Sequence, residues 1–443
     1  MIDLLGFGAV GDGRTLCTES FRRAISAAKE AGGGVNVPAG VFLTGTIDLQ
    51  GVSLHLESGA VIKGSPNPAD YPVMPFYHNE LGDLRALIVC LGGRGVSISG
   101  EGVIDLNGSS FFDFTRPIVP KSRVPFTEAQ KRECTVEYDW RPTQSLFFHQ
   151  VEDVAVKGIT LLDAPCWTLT FSECTNVKAL DLTIDTSLNV PNDDGIHLCS
   201  CSGVMVSNCH ISSGDDCIAI SGITNWAKPC ENILVSNCVL RSCSKALVMG
   251  YVYSHVRNVL VENVIIQESN RGLCFMCNHR GGLVENVRVK NMIIDTRVRA
   301  GNWWGNGEAL FFMALKHDGA IPPEQDPHRE TPVNFRNIVI EGVSCSSENA
   351  VGAVGEGPCP YEDVTLRDVI VARKPSENMA LKGNVFDVAP AGDVIEVPED
   401  CSIYLRGAKG IALENVRARP FEGRDQRIIR ELWEGLGKRQ KHI

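Results

Sequence analysis

Two short segments of the chain carry acidic residues directly before an apolar run. Residues 192–198 read Asn-Asp-Asp-Gly-Ile-His-Leu, and residues 214–220 read Gly-Asp-Asp-Cys-Ile-Ala-Ile. Asp-Gly and Gly-Asp pairs form turns, and the apolar residues that follow have the composition of short strands. If the two strands are neighbours in one sheet, Asp194, Asp215 and Asp216 lie close together at its edge.

Three carboxylates in one small region have a defined chemical use. Like charges repel, so some of these groups hold protons near neutral pH while others stay ionised. Cleavage of a glycosidic bond requires one carboxyl group that donates a proton and another that activates water. The simpler alternative is that these aspartates only form turns, as most single Asp-Gly pairs do.

A six-residue phrase recurs along the chain and indicates how such strands are arranged. It consists of Asn, Asp or Gly, then an alternation of apolar and other residues, then Asn, Asp or Gly again; clear copies are residues 203–208, 232–237, 258–263 and 286–291. From Gly158 to Asn291 the ends of successive copies are 23, 27, 29, 26 and 28 residues apart. Short strands at this period, without helices between them, predict a β-solenoid, whereas a propeller needs blades of about 40 residues.

The two ends of the chain predict caps for this solenoid, which we expect to form a single all-β domain over residues 1–443. Residues 18–31 have the apolar spacing of an amphipathic helix and precede three glycines, so they predict an N-terminal capping helix. The apolar stripe of residues 428, 429, 432, 433 and 436 predicts a short C-terminal helix over about 425–436.

Composition excludes several classes of function. The net charge of −11 argues against a nucleic-acid partner, and no apolar run is long enough to predict a membrane span. Many of the 17 cysteines fall inside apolar strand patterns without the spacing of a zinc site. With no recognisable export signal, we expect reduced thiols, a cytoplasmic location, no metal and no cofactor. The oligomeric state is not predicted.

Several motifs are similar to those of glycoside hydrolase family 28, the polygalacturonase group. They include residues 7–13, 32–40 and 100–105, and, more specifically, the pair Asn192-x-Asp194-Gly195 and Gly214-Asp215-Asp216-Cys217. The resemblance implies a right-handed parallel β-helix that cleaves pectic glycosides with inversion. It also implies that Asp215 is the general acid and that Asp194 and Asp216 hold and deprotonate the attacking water.

Two further motifs of the family are absent. Where the family has Gly-His-Gly, this chain has Ser244-Lys245-Ala246, and where the family has Arg-x-Lys it has Cys274-Phe275-Met276. The resemblance implies that the Arg and Lys hold the sugar carboxylate. A thiol and a thioether cannot bind a carboxylate in that way.

Charged residues at equivalent strand starts suggest a replacement. Each of five such residues directly precedes or begins an apolar strand: Asp194, Asp216, Lys245, Arg271 and Glu308. If the coils stack in register, these residues form a ladder of charges along the cleft. We therefore predict that Lys245, Arg271 and Glu308 bind substrate, with a purely structural ion ladder as the alternative.

Other candidate binding residues are aromatic. His197 is expected to face the same way as Ala219, Val248 and Cys274, into the cleft, and His149 is a weaker candidate of the same kind. Trp303 and Trp304 lie in a glycine-rich loop and predict a wall on which sugars stack, with loop packing as the alternative. Insertions at about residues 106–142 and 316–334 predict further walls at one end of the cleft, which favours exo action.

The leading hypothesis is a metal-independent, inverting, exo-acting glycoside hydrolase of pectin-type oligosaccharides derived from galacturonan or rhamnogalacturonan. A β-helix lyase or epimerase acting on uronic-acid-containing saccharides is the alternative, because Lys245 and Arg271 could neutralise a carboxylate. A carbohydrate-binding solenoid without catalytic activity is a third class, and the clustered acids argue against it.

Overall fold

The computed structural model describes residues 1–122, 124–278, 281–315, 333–389 and 394–432. Within these residues, 33 strands join into one continuous sheet, and every strand pair whose register is defined in this sheet is parallel. Pairing runs from each coil to the next, as between Ile196 and Ile218 and between Ile218 and Leu247. The predicted parallel β-helix is confirmed.

Strands of the first coils are short because Gly, Asn and Asp interrupt the apolar alternation every few residues. They are β1 Ile2–Asp3, β2 Asp12–Leu16, β3 Val35–Val37, β4 Gly40–Thr44, β5 Ile47–Asp48, β6 Leu54–Leu56, β7 Ala60–Gly64, β8 Tyr77–His78, β9 Gly82–Asp83, β10 Ile88–Arg94, β11 Ser97–Gly100, β12 Val103–Asp105, β13 Phe112–Pro117 and β14 Val136–Tyr138. The pairs β8–β9 and β13–β14 are antiparallel and lie outside the main sheet.

Strands of the middle coils carry the repeated phrase. They are β15 Leu146–Lys157, β16 Thr160–Leu162, β17 Leu169–Ser172, β18 Thr175–Leu180, β19 Thr183–Asp185, β20 Ile196–Cys199, β21 Ser202–Ser207, β22 His210–Ser213, β23 Ile218–Ser221, β24 Cys230–Ser236, β25 Val239–Ser242, β26 Lys245–Gly250, β27 His255–Ser269, β28 Arg271–Cys277, β29 Leu283–Thr296 and β30 Leu310–Ala314. The stack β17–β20–β23–β26–β28–β30, which we call the cleft face, bears the acidic segments.

The last coils complete the stack. Their strands are β31 Phe335–Ser347, β32 Val351–Gly355, β33 Tyr361–Arg373, β34 Val385–Asp387, β35 Val394–Glu396, β36 Cys401–Arg406, β37 Ile411–Glu414, β38 Arg417–Arg419 and β39 Arg427–Glu431. The pair β34–β35 is antiparallel and lies outside the main sheet. Helices are few: α1 Thr18–Glu30, α2 Glu128–Lys131 and α3 Met379–Lys382. Among the described residues, none of them is long and apolar enough to cross a lipid bilayer.

The N-terminal capping helix is confirmed, but the C-terminal helix is wrong over its described part. Helix α1 buries Phe21, Ala24 and Ile25 against the first coil. Residues 427–431 instead form β39, which pairs in parallel with β36. The unpaired edge of β36 offers backbone hydrogen bonds that override the helical spacing of the apolar residues. Residues 433–436 of the predicted helix lie outside the described residues.

Asparagine ladders fix the turns between strands. Asn258, Asn263, Asn286 and Asn291 have φ between 55° and 57°, a left-handed conformation that Asn adopts more readily than most residues. The side-chain amide of Asn286 donates to Asn258, and that of Asn258 donates to Asn232, at 3.3 and 3.0 Å. Stacking of the turns in this way holds each coil in register with the next.

The interior of the coil is apolar along its length. Val, Ile and Leu from successive coils stack in one continuous core, as with Val206, Val235, Val261 and Val289. All cysteines are unpaired, and all but Cys359 are buried. They fill the core as small apolar side chains.

Candidate active site

The acidic segments lie side by side on the cleft face. The backbone N–H groups of Gly195 and Cys217 donate to the carbonyls of Asp216 and Lys245, which ties the three strand starts together. Lys245 is the register partner of Arg271. The predicted in-register ladder of strand starts is therefore present, and it brings Asp194, Asp216 and Lys245 into one place.

A cavity of about 250 Å³ opens beside these strand starts. This volume is slightly below the range for small-molecule sites, about 300–1,000 Å³. Its lining includes Asp194, Asp215, Asp216, Lys245 and a further carboxylate, Glu80. The cavity, which we call the cleft, therefore contains all three aspartates of the predicted catalytic set.

Lys245 is the charge around which the aspartates are arranged. Its Nζ lies 2.9 Å from Oδ1 of Asp216 and 4.0 Å from Oδ1 of Asp215. The backbone N–H of Lys245 also donates to Oδ1 of Asp216, at 3.2 Å, and its Nζ donates to the Ser244 hydroxyl, at 3.0 Å. The indole of Trp304 covers the ammonium, with its ring centroid 4.7 Å away. The ammonium thus has a fixed position within reach of two carboxylates.

Burial and mutual repulsion shift the acids of the cleft towards their neutral forms. Burial, followed by repulsion from Asp215 and Asp216, raises the pKa of Asp194 well above its usual value. Burial also raises the pKa of Asp216 to about 7, although Lys245 opposes the shift. The side chain of Asp215 is 23% exposed, against 6% for Asp194 and 11% for Asp216. Asp215 is therefore the aspartate most accessible to a substrate.

Glu80 is a fourth acid of the cleft. Burial in the crowded cleft, followed by repulsion from Asp215 and Asp216, raises its pKa to about 7. The residue nonetheless keeps more than a third of its surface exposed to water. Contact with water weakens the effect of burial on the pKa of Glu80. Repulsion from Asp215 and Asp216 is therefore the better-supported cause of the shift.

His197 lies beside Asp194 as a neutral ring. Its Nδ1 is 3.0 Å from Oδ2 of Asp194, but this approach does not have hydrogen-bond geometry. Its Nε2 is 3.0 Å from the Ser221 hydroxyl, and the ring stacks on Trp167 with centroids 3.8 Å apart. Burial, with some repulsion from His78 and Lys245, holds the pKa of His197 well below 6.5. His197 lines the cleft, as predicted.

The structure places Arg271 and Glu308, which were predicted to bind substrate, outside the lining of the cleft. Arg271 donates from Nε and Nη2 to the two carboxylate oxygens of Glu308, at 3.1 and 3.0 Å. Its side chain is 1% exposed and that of Glu308 is fully buried. Nη2 also donates to the carbonyl of Asp387, and Nη1 approaches Sγ of Cys274 at 4.0 Å, so the guanidinium is held within the protein and does not line the cleft. This pairing favours the structural alternative for this part of the ladder.

Both tryptophans of the glycine-rich loop line the cleft. Trp303 is anchored by its indole N–H, which donates to the carbonyl of Glu133 at 2.7 Å. Trp304 packs over Lys245 and lies 6.4 Å from Tyr251, centroid to centroid. Their contact with a sugar stays a prediction.

His149 and the two predicted insertions differ in where they lie relative to the cleft. His149 is not part of the cleft lining; its Nδ1 is 3.0 Å from the Ser172 hydroxyl, two strands away from the acids. The first predicted insertion contributes Thr135 to the cleft, and Glu133 holds the Trp303 loop. The second falls at residues 316–334, of which 316–332 lie outside the described residues.

Sequence reasoning missed Glu80, Trp167 and Tyr251, which also line the cleft. Glu80 follows the short hairpin strand β8, outside the repeated phrase, so no periodic pattern pointed to it. Trp167 could have been found, because it occupies the strand-start position of β17, equivalent to Asp194 on the next coil. In the described part of the chain, no group of three or more His, Cys, Asp or Glu has the arrangement of a metal site.

Comparison with known proteins identifies the family to which the chain is similar. The family described as Glycosyl hydrolases family 28 matches residues 29–299. A probable polygalacturonase of Vitis vinifera is 27% identical over 78% of this chain and 69% of its own length. An exo-poly-alpha-D-galacturonosidase of Dickeya chrysanthemi is 27% identical over 80% of this chain and 64% of its own length. The crystal structure of a hyperthermoactive exopolygalacturonase from Thermotoga maritima superposes with a TM-score of 0.64 and 25% identity, covering 85% of this chain and 87% of that one.

Proposed function

The chain belongs to glycosyl hydrolases family 28, and from this premise we propose that it is an inverting, exo-acting hydrolase of pectin-type oligosaccharides. The observation that carries the proposal is the arrangement of Asp194, Asp215 and Asp216 in one cleft around the ammonium of Lys245. Carboxylates with unequal exposure in one site are suited to the separate tasks of acid and base.

In this mechanism Asp215 is the general acid. It is the most exposed of the three aspartates, so it can reach the glycosidic oxygen of a bound substrate. Asp215 gives its proton to that oxygen as the bond to the anomeric carbon breaks. The departing sugar leaves as a neutral alcohol, and Asp215 is left ionised until it takes up a proton from solvent.

Asp194 and Asp216 act on water. A water molecule between them transfers a proton to one of the two carboxylates while its oxygen bonds to the anomeric carbon from the opposite face. The pKa of Asp216, about 7, places it where a carboxylate is both basic and partly ionised at neutral pH. Attack from the face opposite the leaving group inverts the anomeric configuration.

Exo action is supported by the walls of the cleft. The Trp303–Trp304 loop, Thr135 and Glu80 enclose it from three different parts of the chain. The Dickeya relative and the Thermotoga structure are both named as exo-acting enzymes. Release of single sugars from one end of a labelled oligosaccharide tests this, and an initial mixture of internal fragments would refute it.

The mechanism is tested by Asp215→Asn, which we expect to lower kcat at least about a hundredfold, the usual worth of a general acid. Asp185→Asn is the matched control, because Asp185 is exposed on β19 outside the cleft lining. Unchanged turnover in Asp215→Asn would remove that residue from the mechanism.

Lyase or epimerase chemistry is the second candidate, and Lys245 is the observation that bears on it. Such reactions need an unprotonated base near C5 of a uronate. Burial would lower the pKa of Lys245, but Asp216 and Asp215 outweigh burial and raise it. The ammonium therefore stays protonated and is a poor base, which favours hydrolysis. A lyase would form a product with an ultraviolet-absorbing double bond, and a hydrolase would not.

The proposal includes a cytoplasmic location, where short imported oligosaccharides are the available substrates. Buried, unpaired cysteines such as Cys201 and Cys209 support a reducing compartment. Cell fractionation, with thiol titration of the purified and unfolded protein, tests this. Recovery of the protein outside the cytoplasm, or of fewer than 17 free thiols, would contradict it.

A further inference from the structure

Acidic groups outnumber cations in the cleft. Four carboxyl groups line it, those of Glu80, Asp194, Asp215 and Asp216, and only some of them are ionised at neutral pH. Among the described lining residues, Lys245 is the one Lys or Arg side chain. His197 adds no positive charge, because burial keeps its ring neutral. An anionic ligand entering this cleft therefore meets repulsion from whichever of these acids are ionised, with one cation in the described lining to offset it.

The positive charge of Lys245 is already engaged. Its Nζ lies 2.9 Å from Asp216 and donates to Ser244, while the ring of Trp304 covers it. A substrate carboxylate would have to share this ammonium with Asp216, which the proposed mechanism uses, on a side that Trp304 does not cover. Lys245 is therefore unsuited to bind the acid group of a sugar.

Two buried guanidinium groups near the cleft are engaged as well. Nε and Nη2 of Arg271 donate to the two carboxylate oxygens of Glu308. Arg141 lies behind the wall of the cleft, where it donates to the side chain of Asn192 at 2.9 Å and to the carbonyl of Pro165 at 2.8 Å. Neither residue lines the cleft.

The floor of the cleft is apolar. Ala219 and Val248 are register partners on adjacent strands and face the cleft together with His197. Met276 lies on the next strand, two residues beyond Cys274, the register partner of Val248, and also lines the cleft. These side chains offer C–H surface and no donor to whatever part of the sugar ring lies against them.

We propose that the sugar seated in this cleft is uncharged: a neutral hexose or 6-deoxyhexose, with a hydroxymethyl or methyl group at C5 in place of a carboxylate. This inference rests on the proposed hydrolase function and specifies its substrate. The described lining offers a uronate no cation besides Lys245, and the floor formed by Ala219, Val248 and Met276 accommodates the apolar face of a neutral ring.

The test compares pectic oligosaccharides in three forms: the free acid, the methyl ester and the carboxyl-reduced sugar. The three forms share stereochemistry and linkage and differ only at C6. We expect kcat/KM at pH 7 and low salt to be at least about tenfold higher for the two uncharged forms than for the free acid. The difference should shrink as salt screens the repulsion. Equal or faster cleavage of the free acid overturns the inference and leaves the hydrolase proposal standing.

A substitution in the floor provides an independent measurement. Met276→Lys adds a cation to the cleft, and we expect it to shift the ratio of kcat/KM towards the free acid by at least about tenfold. Met276→Leu is the matched control, since it conserves volume without charge and should leave the ratio unchanged. An unchanged ratio in a folded Met276→Lys variant, shown by its melting temperature, would count against the inference.

Binding separates this inference from the proposed function. Titration of the Asp215→Asn variant with the three forms measures the preference of the cleft without turnover. Tighter binding of the uncharged forms supports the inference even if the natural protein cleaves none of the three forms. Absence of cleavage would defeat the hydrolase proposal and leave the inference about the bound sugar standing. Tighter binding of the free acid overturns the inference whatever the kinetics.

Discussion

Replacing Lys245 by methionine removes the ammonium while keeping an unbranched side chain beneath Trp304. The Nζ of Lys245 is 2.9 Å from Asp216, and both side chains are almost completely buried. Two unit charges 4 Å apart contribute about 4 kcal/mol at an effective dielectric constant of about 20. One pKa unit corresponds to about 1.4 kcal/mol. With part of the loss compensated by entering water, we expect the pKa of Asp216 to rise from about 7 to about 9.

The consequence is visible in the pH dependence of kcat/KM. If ionised Asp216 helps to deprotonate water, the acidic limb of the profile should move up by about 2 pH units in Lys245→Met. Activity at pH 6 should then fall about a hundredfold, while the loss at higher pH is smaller. Lys245→Arg keeps the positive charge, so its acidic limb should stay near that of the natural protein even if kcat falls. Superimposable acidic limbs for Lys245→Met and the natural protein would refute this account of Lys245.

Three further predictions concern stability. Because burial and repulsion raise the pKa of Asp194 above 3.8, the folded state retains a proton that the unfolded state loses, so this group destabilises the protein as pH rises from about 4. Asp194→Asn should therefore melt at least about 2 °C higher at pH 8, with the gain vanishing near pH 4, and a gain independent of pH would contradict this. Arg271→Ala leaves buried Glu308 without its ion-pair partner and should lower the free energy of unfolding by about 3–5 kcal/mol in a denaturant titration. The KM of the folded fraction should stay unchanged. A raised KM at full stability would instead indicate a substrate role for Arg271. Asn258→Ala should lower the free energy of unfolding by about 1–3 kcal/mol in the same titration, and Asn258→Gly should lower it less, because Gly adopts a φ of 57° without strain. The reverse order would contradict a role for backbone strain at this position.

The coil and its register could be predicted from the sequence because each repeat encodes them locally. Asn or Asp ends the phrase where the backbone must turn, and the apolar alternation sets which side chains face inward. With Asp194, Asp216 and Lys245 at equivalent strand starts, stacking alone brings them together. Alignment of successive strand starts therefore predicted the centre of the candidate site.

Partner choice within the ladder could not be predicted. Lys245 and Arg271 are neighbours in register, and the sequence alone does not decide whether either is left free for a substrate. In the structure each faces a carboxylate on its other side, Asp216 for Lys245 and Glu308 for Arg271, so the charges are paired within the protein. Deep burial of the second pair then removes it from the cleft.

The other differences arise where the chain departs from the repeat. Glu80 enters the cleft from a loop beside β8, and its position depends on how that loop folds over the coils. At the C-terminal end, adjacent Ile428 and Ile429 fit either a helix or a strand. The free edge of β36 decides in favour of the strand, which is a tertiary effect without a local signal.

The central claim is that Asp215 protonates the leaving oxygen while water, activated by Asp194 and Asp216, attacks from the opposite face. Proton NMR during the first minutes of cleavage observes the anomeric configuration of the new reducing end before mutarotation. The account predicts the configuration opposite to that of the bond cleaved. A product of retained configuration, or one with a new double bond, would contradict it.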